Sequence, residues 1–192
     1  MQRIIIGLAS MLFAAGAAFA QQATPLPAEK QTKLGLYVTA KEANELKQKE
    51  GAKALFIDVR SRAEAMYVGV PANVDALVPL VEPTFDAWDD KKGTYRTQAN
   101  AGFVQEVERR LAEKGLTRTD TVIVMCRSGD RSARAINELL VPAGFTRAYT
   151  VTEGFEGDLS KDGRRSVNGW KNAGQPWTYE LDKAKQPLPK AG

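Results

Sequence analysis

The chain has 192 residues and a formal net charge of +4, a length that suits one domain with extra residues at its ends. Its basic residues are interleaved with acidic ones along the whole chain, which argues against nucleic acid as a partner. One cysteine and no histidine exclude an internal disulfide, Ser-His-Asp and Cys-His catalysis, and every histidine-based metal site. No metal and no other cofactor is predicted.

Residues 1–20 have the pattern of a secretory signal peptide. Arg3 is the one charge in this segment, an apolar stretch follows it, and the segment ends on Ala18-Phe19-Ala20, a small-x-small cleavage site. The alternative is a transmembrane anchor, but the segment is short for a spanning helix and rich in Ala and Gly. We therefore expect cleavage after Ala20, a periplasmic or secreted protein, and no membrane contact after cleavage.

The next segments are predicted as a leader, a strand, a helix and a strand. Residues 21–33 are polar with two prolines, which is typical of a flexible leader. Thr39 is a candidate helix N-cap because Glu42 stands three residues later, and Gly51 ends that helix. The apolar run of residues 54–57 predicts a strand buried on both faces.

The middle of the chain is less regular. A short helix is predicted near Arg62 to Met66, and residues 89–93 are predicted to form a surface loop. Apolar residues at helical spacing begin at Phe103 and predict a helix that Gly115 closes.

The second half of the chain repeats the alternation of strands and helices. The stretch TDTVIVMC predicts another buried strand, and a helix with an apolar stripe from Ala133 to Leu140 follows it. Residues 148–151 predict a short strand. Such alternation predicts an α/β fold, with a mainly parallel sheet flanked by helices on both faces. The predicted domain covers residues 34–178, and residues 179–192 form a C-terminal tail.

The single cysteine, Cys126, lies at the carboxyl end of the second buried strand. Ligands of parallel α/β sheets bind outside the carboxyl ends of the strands, so its position is that of an active site. An unpaired thiol in an exported chain indicates an intermolecular bond or a reactive group. The alternative is a buried cysteine that acts as a small hydrophobic residue.

The residues after Cys126 could make its thiol reactive. A thiolate is the nucleophile, and inward-pointing backbone amides, a helix N-terminus and nearby arginines all favour it. Gly129 allows the tight turn, whereas Asp130 opposes the ionised sulfur unless it faces away and pairs with an arginine. With Cys126 as catalytic residue, the predicted substrate-binding residues are Arg127, Ser128, Gly129, Asp130, Arg131 and Ser132. Arg131 is the stronger candidate of the two arginines because it closes the loop.

This loop, CRSGDRS, resembles the active-site loop of single-domain rhodaneses, which are sulfurtransferases. The motif Asp58-Val59-Arg60 and two glycine-containing segments, at residues 154–157 and 169–176, resemble further family motifs in the same order. The resemblance implies a rhodanese-like fold. It also implies that Cys126 takes a sulfur from a small anionic donor such as thiosulfate and carries it as a persulfide. Cyanide, a thiol or a protein would accept it, and Asp58 and Arg60 would brace the domain.

Two segments depart from the family pattern. The family usually has a Gly-His-Ile-Pro-Gly segment after its first helix, whereas residues 69–72 are shorter and lack histidine. Residues 82–101 form a longer connection than usual. Its aromatic residues Phe85, Trp88 and Tyr95 could line the mouth of the site or attach the connection to the body.

Two alternative functions also depend on a cysteine loop. A persulfide carrier or a protein-interaction module would use Cys126 in the same way, so the sequence does not separate it from an enzyme. Cysteine-dependent phosphatases have an arginine six residues after the cysteine, but here that residue is Ser132 and Arg131 comes one residue early. We therefore expect a loop too short for phosphate.

Overall fold

The computed structural model describes residues 25–186, so the predicted signal peptide and the last six residues of the tail lie outside the described residues. Within that range no helix is long and apolar enough to cross a membrane. In chain order the strands are β1 (Tyr37–Val38), β2 (Ala54–Asp58), β3 (Val70–Pro71), β4 (Ala76–Leu77), β5 (Val81–Asp89), β6 (Thr94–Ala99), β7 (Thr121–Met125), β8 (Ala148–Val151) and β9 (Trp177–Thr178). The α-helices are α1 (Ala40–Glu50), α2 (Arg62–Val68), α3 (Phe103–Glu113) and α4 (Asp130–Ala135), and a π-helical stretch, Ile136–Leu140, follows α4 directly.

A five-stranded sheet forms the centre of the molecule, in the order β1-β8-β7-β2-β4. Every neighbouring pair in this sheet is parallel, and β2 and β7 pair along their full length from Ala54–Thr121 to Asp58–Met125. Both central strands are buried at every position, as their apolar runs predicted. The predicted α/β fold is therefore confirmed.

The side chains of the sheet alternate between two apolar layers. Leu55 and Val124 face the layer that contains α3 and α4, while Phe56 and Ile123 face the layer that contains α1 and α2. Helices therefore cover both faces of the sheet. The predicted capping box of α1 is also present, with the Thr39 side chain and the Glu42 carboxylate each accepting the other's backbone N–H.

The described part of the predicted leader, residues 25–33, contacts the body of the protein. It includes a short 3₁₀ turn at Ala28–Lys30, and the Lys30 side chain is buried. The Lys30 ammonium lies 2.6 Å from the carboxylate of Asp158, which compensates its burial. Because the partner lies 128 residues away in the sequence, local composition does not reveal it.

Residues 81–99 form a hairpin of β5 and β6, where the sequence indicated only a long connection with a surface loop at 89–93. The pairing shifts register between Pro83 and Trp88, and Phe85 lies inside this irregular stretch at φ +60°. The described part of the predicted tail contacts the body, because the Arg110 guanidinium donates a hydrogen bond to the carbonyl of Ala184 at 2.8 Å and the Tyr179 ring packs edge-on against Trp177.

Candidate active site

Cys126 directly follows β7 and is completely buried. Its sulfur accepts one backbone hydrogen bond, from the Gly129 N–H at 3.1 Å. The Ser132 hydroxyl lies 3.6 Å from the sulfur and the Asp130 carboxylate lies 3.7 Å from it. The expected position at the carboxyl end of a central strand is found. Cys126 itself has no solvent-exposed surface.

Two glycines fix the backbone of this loop. Gly129 has φ +100°, and a Cβ at this position would lie 2.2 Å from the carbonyl oxygen of Thr152. Gly154 has φ +65°, and its Cβ would lie 2.4 Å from the carbonyl carbon of Arg127. Any other residue at either position would force two backbone segments apart. The tight turn predicted at Gly129 is present, and Gly154 allows the backbone of residues 127–128 to pack closely against it.

The segment 154–157, which the sequence marked only as a motif, holds the start of the loop. Its Phe155 N–H donates to the carbonyl of Cys126 at 2.8 Å, and the N–H groups of Glu156 and Gly157 donate to the carbonyl of Arg127 at 3.0 and 3.2 Å. These bonds satisfy the carbonyl groups of Cys126 and Arg127 and tie the start of the loop to segment 154–157.

Ser132 holds the other end of the loop. Its hydroxyl donates to the carbonyl of Gly129 at 3.0 Å and lies 2.8 Å from the hydroxyl of Thr150. Both residues are fully buried. Ser132 therefore shapes the loop around the sulfur, and Thr150 joins the site from β8, which no local sequence signal indicated.

Arg131 is bound by a carboxylate that the sequence did not assign to the site. Its guanidinium forms two hydrogen bonds to Glu64, at 2.8 and 2.5 Å. Burial alone would raise the pKa of Glu64, but the Arg131 contacts and those of Ser61 outweigh it and lower the pKa to about 2. Burial would lower the pKa of Arg131, but the hydrogen bonds and the negative charge of Glu64 outweigh this effect and raise it. The one available signal was the capping box that Ser61 and Glu64 form at the start of α2.

Arg127 and Asp130 occupy the solvent side of the loop. Arg127 is exposed, and Asp130 turns toward the sulfur, contrary to the idea that it faces away to pair with an arginine. The Ser128 hydroxyl donates to the Asp130 carboxylate at 3.2 Å. Burial raises the pKa of Asp130, but the backbone N–H and the charge of Arg131 outweigh this and lower it overall. The carboxylate beside the sulfur is therefore ionised at neutral pH.

Asp58 and Arg60 form a fully buried ion pair away from the sulfur. The Arg60 guanidinium donates to the Asp58 carboxylate at 2.6 Å and to the Gly69 carbonyl at 2.7 Å. Its carbon lies 4.0 Å above the centre of the Phe155 ring. The backbone N–H of Phe155 donates to the carbonyl of Cys126. The Asp58–Arg60 ion pair therefore stabilises the residue that supports the loop.

A cleft of about 330 Å³ borders the loop. One side is formed by the first turn of α2 and by Arg127 and Arg131, and the other side by the hairpin with Phe85 and Tyr95. Trp88 packs edge-on against Tyr95. Two of the three aromatic residues of the hairpin therefore line the mouth of the site. Among residues 25–186, no group of three or more potential metal ligands converges at this cleft or elsewhere.

The family model for the rhodanese-like domain matches residues 39–161. The protein belongs to the rhodanese-like family. A crystal structure of Rv0390 from M. tuberculosis is 33% identical with a TM-score of 0.57, and the match covers 75% of this chain and 97% of that one. The solution structure of the polysulfide-sulfur transferase homodimer from Wolinella succinogenes is 23% identical with a TM-score of 0.42, and covers 74% and 77% of the two chains. Among curated proteins no match was found.

The rhodanese-like match ends before the second glycine-containing segment, yet that segment is part of the same body. Trp170 is fully buried and its ring lies 5.4 Å from that of Phe56 on β2. Its backbone N–H donates to the carbonyl of Gly154 at 2.9 Å. Residues beyond the family match therefore support the strand and the glycine on which the Cys126 loop rests.

Proposed function

We propose that this rhodanese-like protein is a sulfurtransferase that moves a sulfane sulfur from a donor to a thiophilic acceptor through a persulfide on Cys126. The observation that carries the proposal is the hydrogen bond from the Gly129 N–H to the Cys126 sulfur at 3.1 Å. A backbone donor aimed at sulfur stabilises the thiolate and, after transfer, the anionic persulfide.

The chemistry needs one nucleophile and no cofactor. The Cys126 thiolate attacks the outer sulfur of the donor, and the bond between the two donor sulfurs breaks. With thiosulfate the electron pair leaves on sulfite, and Cys126 carries the outer sulfur as a persulfide anion. Cyanide or a thiolate then attacks that sulfur and restores the Cys126 thiolate. A thiolate needs no general base, which fits a chain without histidine.

The geometry supports this function better than phosphoryl transfer. A cysteine-dependent phosphatase would use an arginine at the end of the loop to hold phosphate through two hydrogen bonds. In this protein the fork of the Arg131 guanidinium is already bound to Glu64. Arg131 therefore shapes the wall of the cleft and is not free to grip an oxyanion.

The burial of the sulfur favours a second candidate, a persulfide carrier that exchanges sulfur only when a partner protein opens the loop. Cys126 is completely buried, so a donor reaches the sulfur only if the side chains of the loop move. A carrier and an enzyme differ in turnover. The carrier would load one sulfur and stop, whereas the enzyme would form thiocyanate continuously from thiosulfate and cyanide.

The test uses the mature chain, in which any thiol-bound sulfur must be on Cys126 because the sequence has one cysteine. We expect intact-protein mass spectrometry to show a gain of one sulfur atom after incubation with thiosulfate, and the gain to disappear on adding cyanide. The Cys126→Ser variant, which keeps the size of the side chain, should show neither the gain nor turnover. A variant that retains the wild-type rate would contradict the mechanism.

We also propose that the protein acts outside the cytoplasm after removal of residues 1–20. This rests on the signal-peptide pattern of the sequence alone. N-terminal sequencing of protein from the periplasmic fraction or the medium should begin at Gln21. An intact Met1 on that protein would contradict cleavage.

A further inference from the structure

The carboxylate of Asp130 lies on the solvent side of the reactive sulfur. Cys126 is completely buried while Asp130 is exposed, and a carboxylate oxygen lies 3.7 Å from the sulfur. The Ser128 hydroxyl holds the same oxygen at 3.2 Å. When the side chains of the loop move and a donor reaches the sulfur, the donor comes close to this negative charge.

The positive charges near the sulfur weaken this effect, but carboxylates offset them. Arg131 donates two hydrogen bonds to the Glu64 carboxylate, whose charge offsets its own, although Arg131 also interacts with Asp130. Arg127 is exposed, and its side chain has no hydrogen-bond or ion-pair partner within residues 25–186. The charged side chains that line the two cavities beside the loop are three arginines and four carboxylates, which leaves an excess of one negative charge: Arg127, Arg131, Arg134, Glu29, Glu64, Asp130 and Glu138.

We propose that Asp130 selects the sulfur donor by its charge, so that the site prefers a sulfane-sulfur donor with at most one negative charge over the thiosulfate dianion. This inference rests on the proposed sulfur transfer. Organic persulfides and thiosulfonates carry such a sulfur. The Cys126 thiolate attacks their outer sulfur, the bond to the inner sulfur breaks, and the electron pair leaves on a thiolate or a sulfinate. A dianion brings one further negative charge toward Asp130 before the same step.

The test compares two donors that differ by one charge, thiosulfate and methanethiosulfonate. Sulfur loading of Cys126 is measured in single turnovers at low ionic strength, in the wild type and in Asp130→Asn, which removes the charge and keeps the shape. One extra charge a few ångströms from Asp130 is worth roughly a tenfold change in rate at intermediate dielectric constants. We therefore expect the ratio of the thiosulfate rate to the thiosulfonate rate to rise about tenfold in the variant, and the rise to shrink with added salt.

The matched control is Asp120→Asn, which removes a charge at the opposite end of the strand that leads to Cys126. Its donor ratio should equal that of the wild type. If Asp130→Asn does not fold, as judged by circular dichroism, the same ratio is measured in Asp130→Ser. An unchanged ratio in a folded Asp130 variant, while the wild type loads sulfur from both donors, would overturn the charge selection alone. A wild type that loads sulfur from neither donor would overturn the sulfur transfer as well.

Discussion

The ion pair between Glu64 and Arg131 connects the first turn of α2 to the Cys126 loop, and its contribution to stability can be measured. Both side chains are mostly buried, with 21% and 15% of their surfaces exposed. The substitution Glu64→Gln removes the negative charge and keeps the capping box, because glutamine also serves at that helix position. It leaves Arg131 with a buried positive charge and no carboxylate.

The lowered pKa of Glu64 gives the size of the expected change in unfolding free energy and its dependence on pH. A fall from 4.5 to about 2 is equivalent to roughly 3 kcal/mol of folding free energy at neutral pH. A carboxylate whose pKa is lowered in the folded state stabilises the protein when the pH is above the pKa of the unfolded state. This contribution is lost as the pH falls toward the pKa of the folded state. We therefore expect the unfolding free energy of the wild type to be about 2–3 kcal/mol larger than that of the variant at pH 7. The difference should fade between about pH 4.5 and pH 2.

The assay is urea unfolding of both proteins at pH 7 and at several values below pH 4.5. Glu42→Gln is the matched control, because Glu42 occupies the same capping-box position in α1, is exposed, and has no arginine partner within residues 25–186. Its effect should stay below about 1 kcal/mol. A loss of free energy in Glu64→Gln that equals the control, or that does not change with pH, would refute the assigned role of the Arg131 contact.

Two further predictions concern the supports of the loop. Asp58→Asn leaves the Arg60 charge buried without its carboxylate, and we expect a loss of about 3–5 kcal/mol in unfolding free energy. A loss below 1 kcal/mol would contradict the bracing role. Gly129→Ala places a Cβ 2.2 Å from the Thr152 carbonyl at φ +100°, so we expect at least tenfold slower sulfur loading of Cys126. Gly163→Ala, at φ +79° with no atom within 4 Å of the new Cβ, is its control and should load sulfur at the wild-type rate.

Much of the fold follows from local patterns. The buried strands β2 and β7 appear as continuous apolar runs, α1 begins at a capping box, and α3 shows apolar residues at helical spacing. The hairpin β5–β6 was missed although apolar and polar residues alternate from Val81 to Ala87, because Pro83 interrupts the pattern and β6 is exposed at every position. The burial of Lys30 was not predicted either, because its partner Asp158 lies 128 residues away in the sequence.

The sequence by itself determined where the thiol lies. A strand buried on both faces followed by a glycine-containing turn and a helix has to bring Cys126 to the carboxyl edge of a parallel sheet. Only the tertiary structure decided which charged side chains surround the loop and that the Cys126 side chain is buried. Glu64 is 67 residues from Arg131 in the chain, and Asp130 turns toward the sulfur within a loop whose backbone is held by segment 154–157. Side-chain contacts between distant segments depend on how the elements pack, which no local pattern of residues specifies.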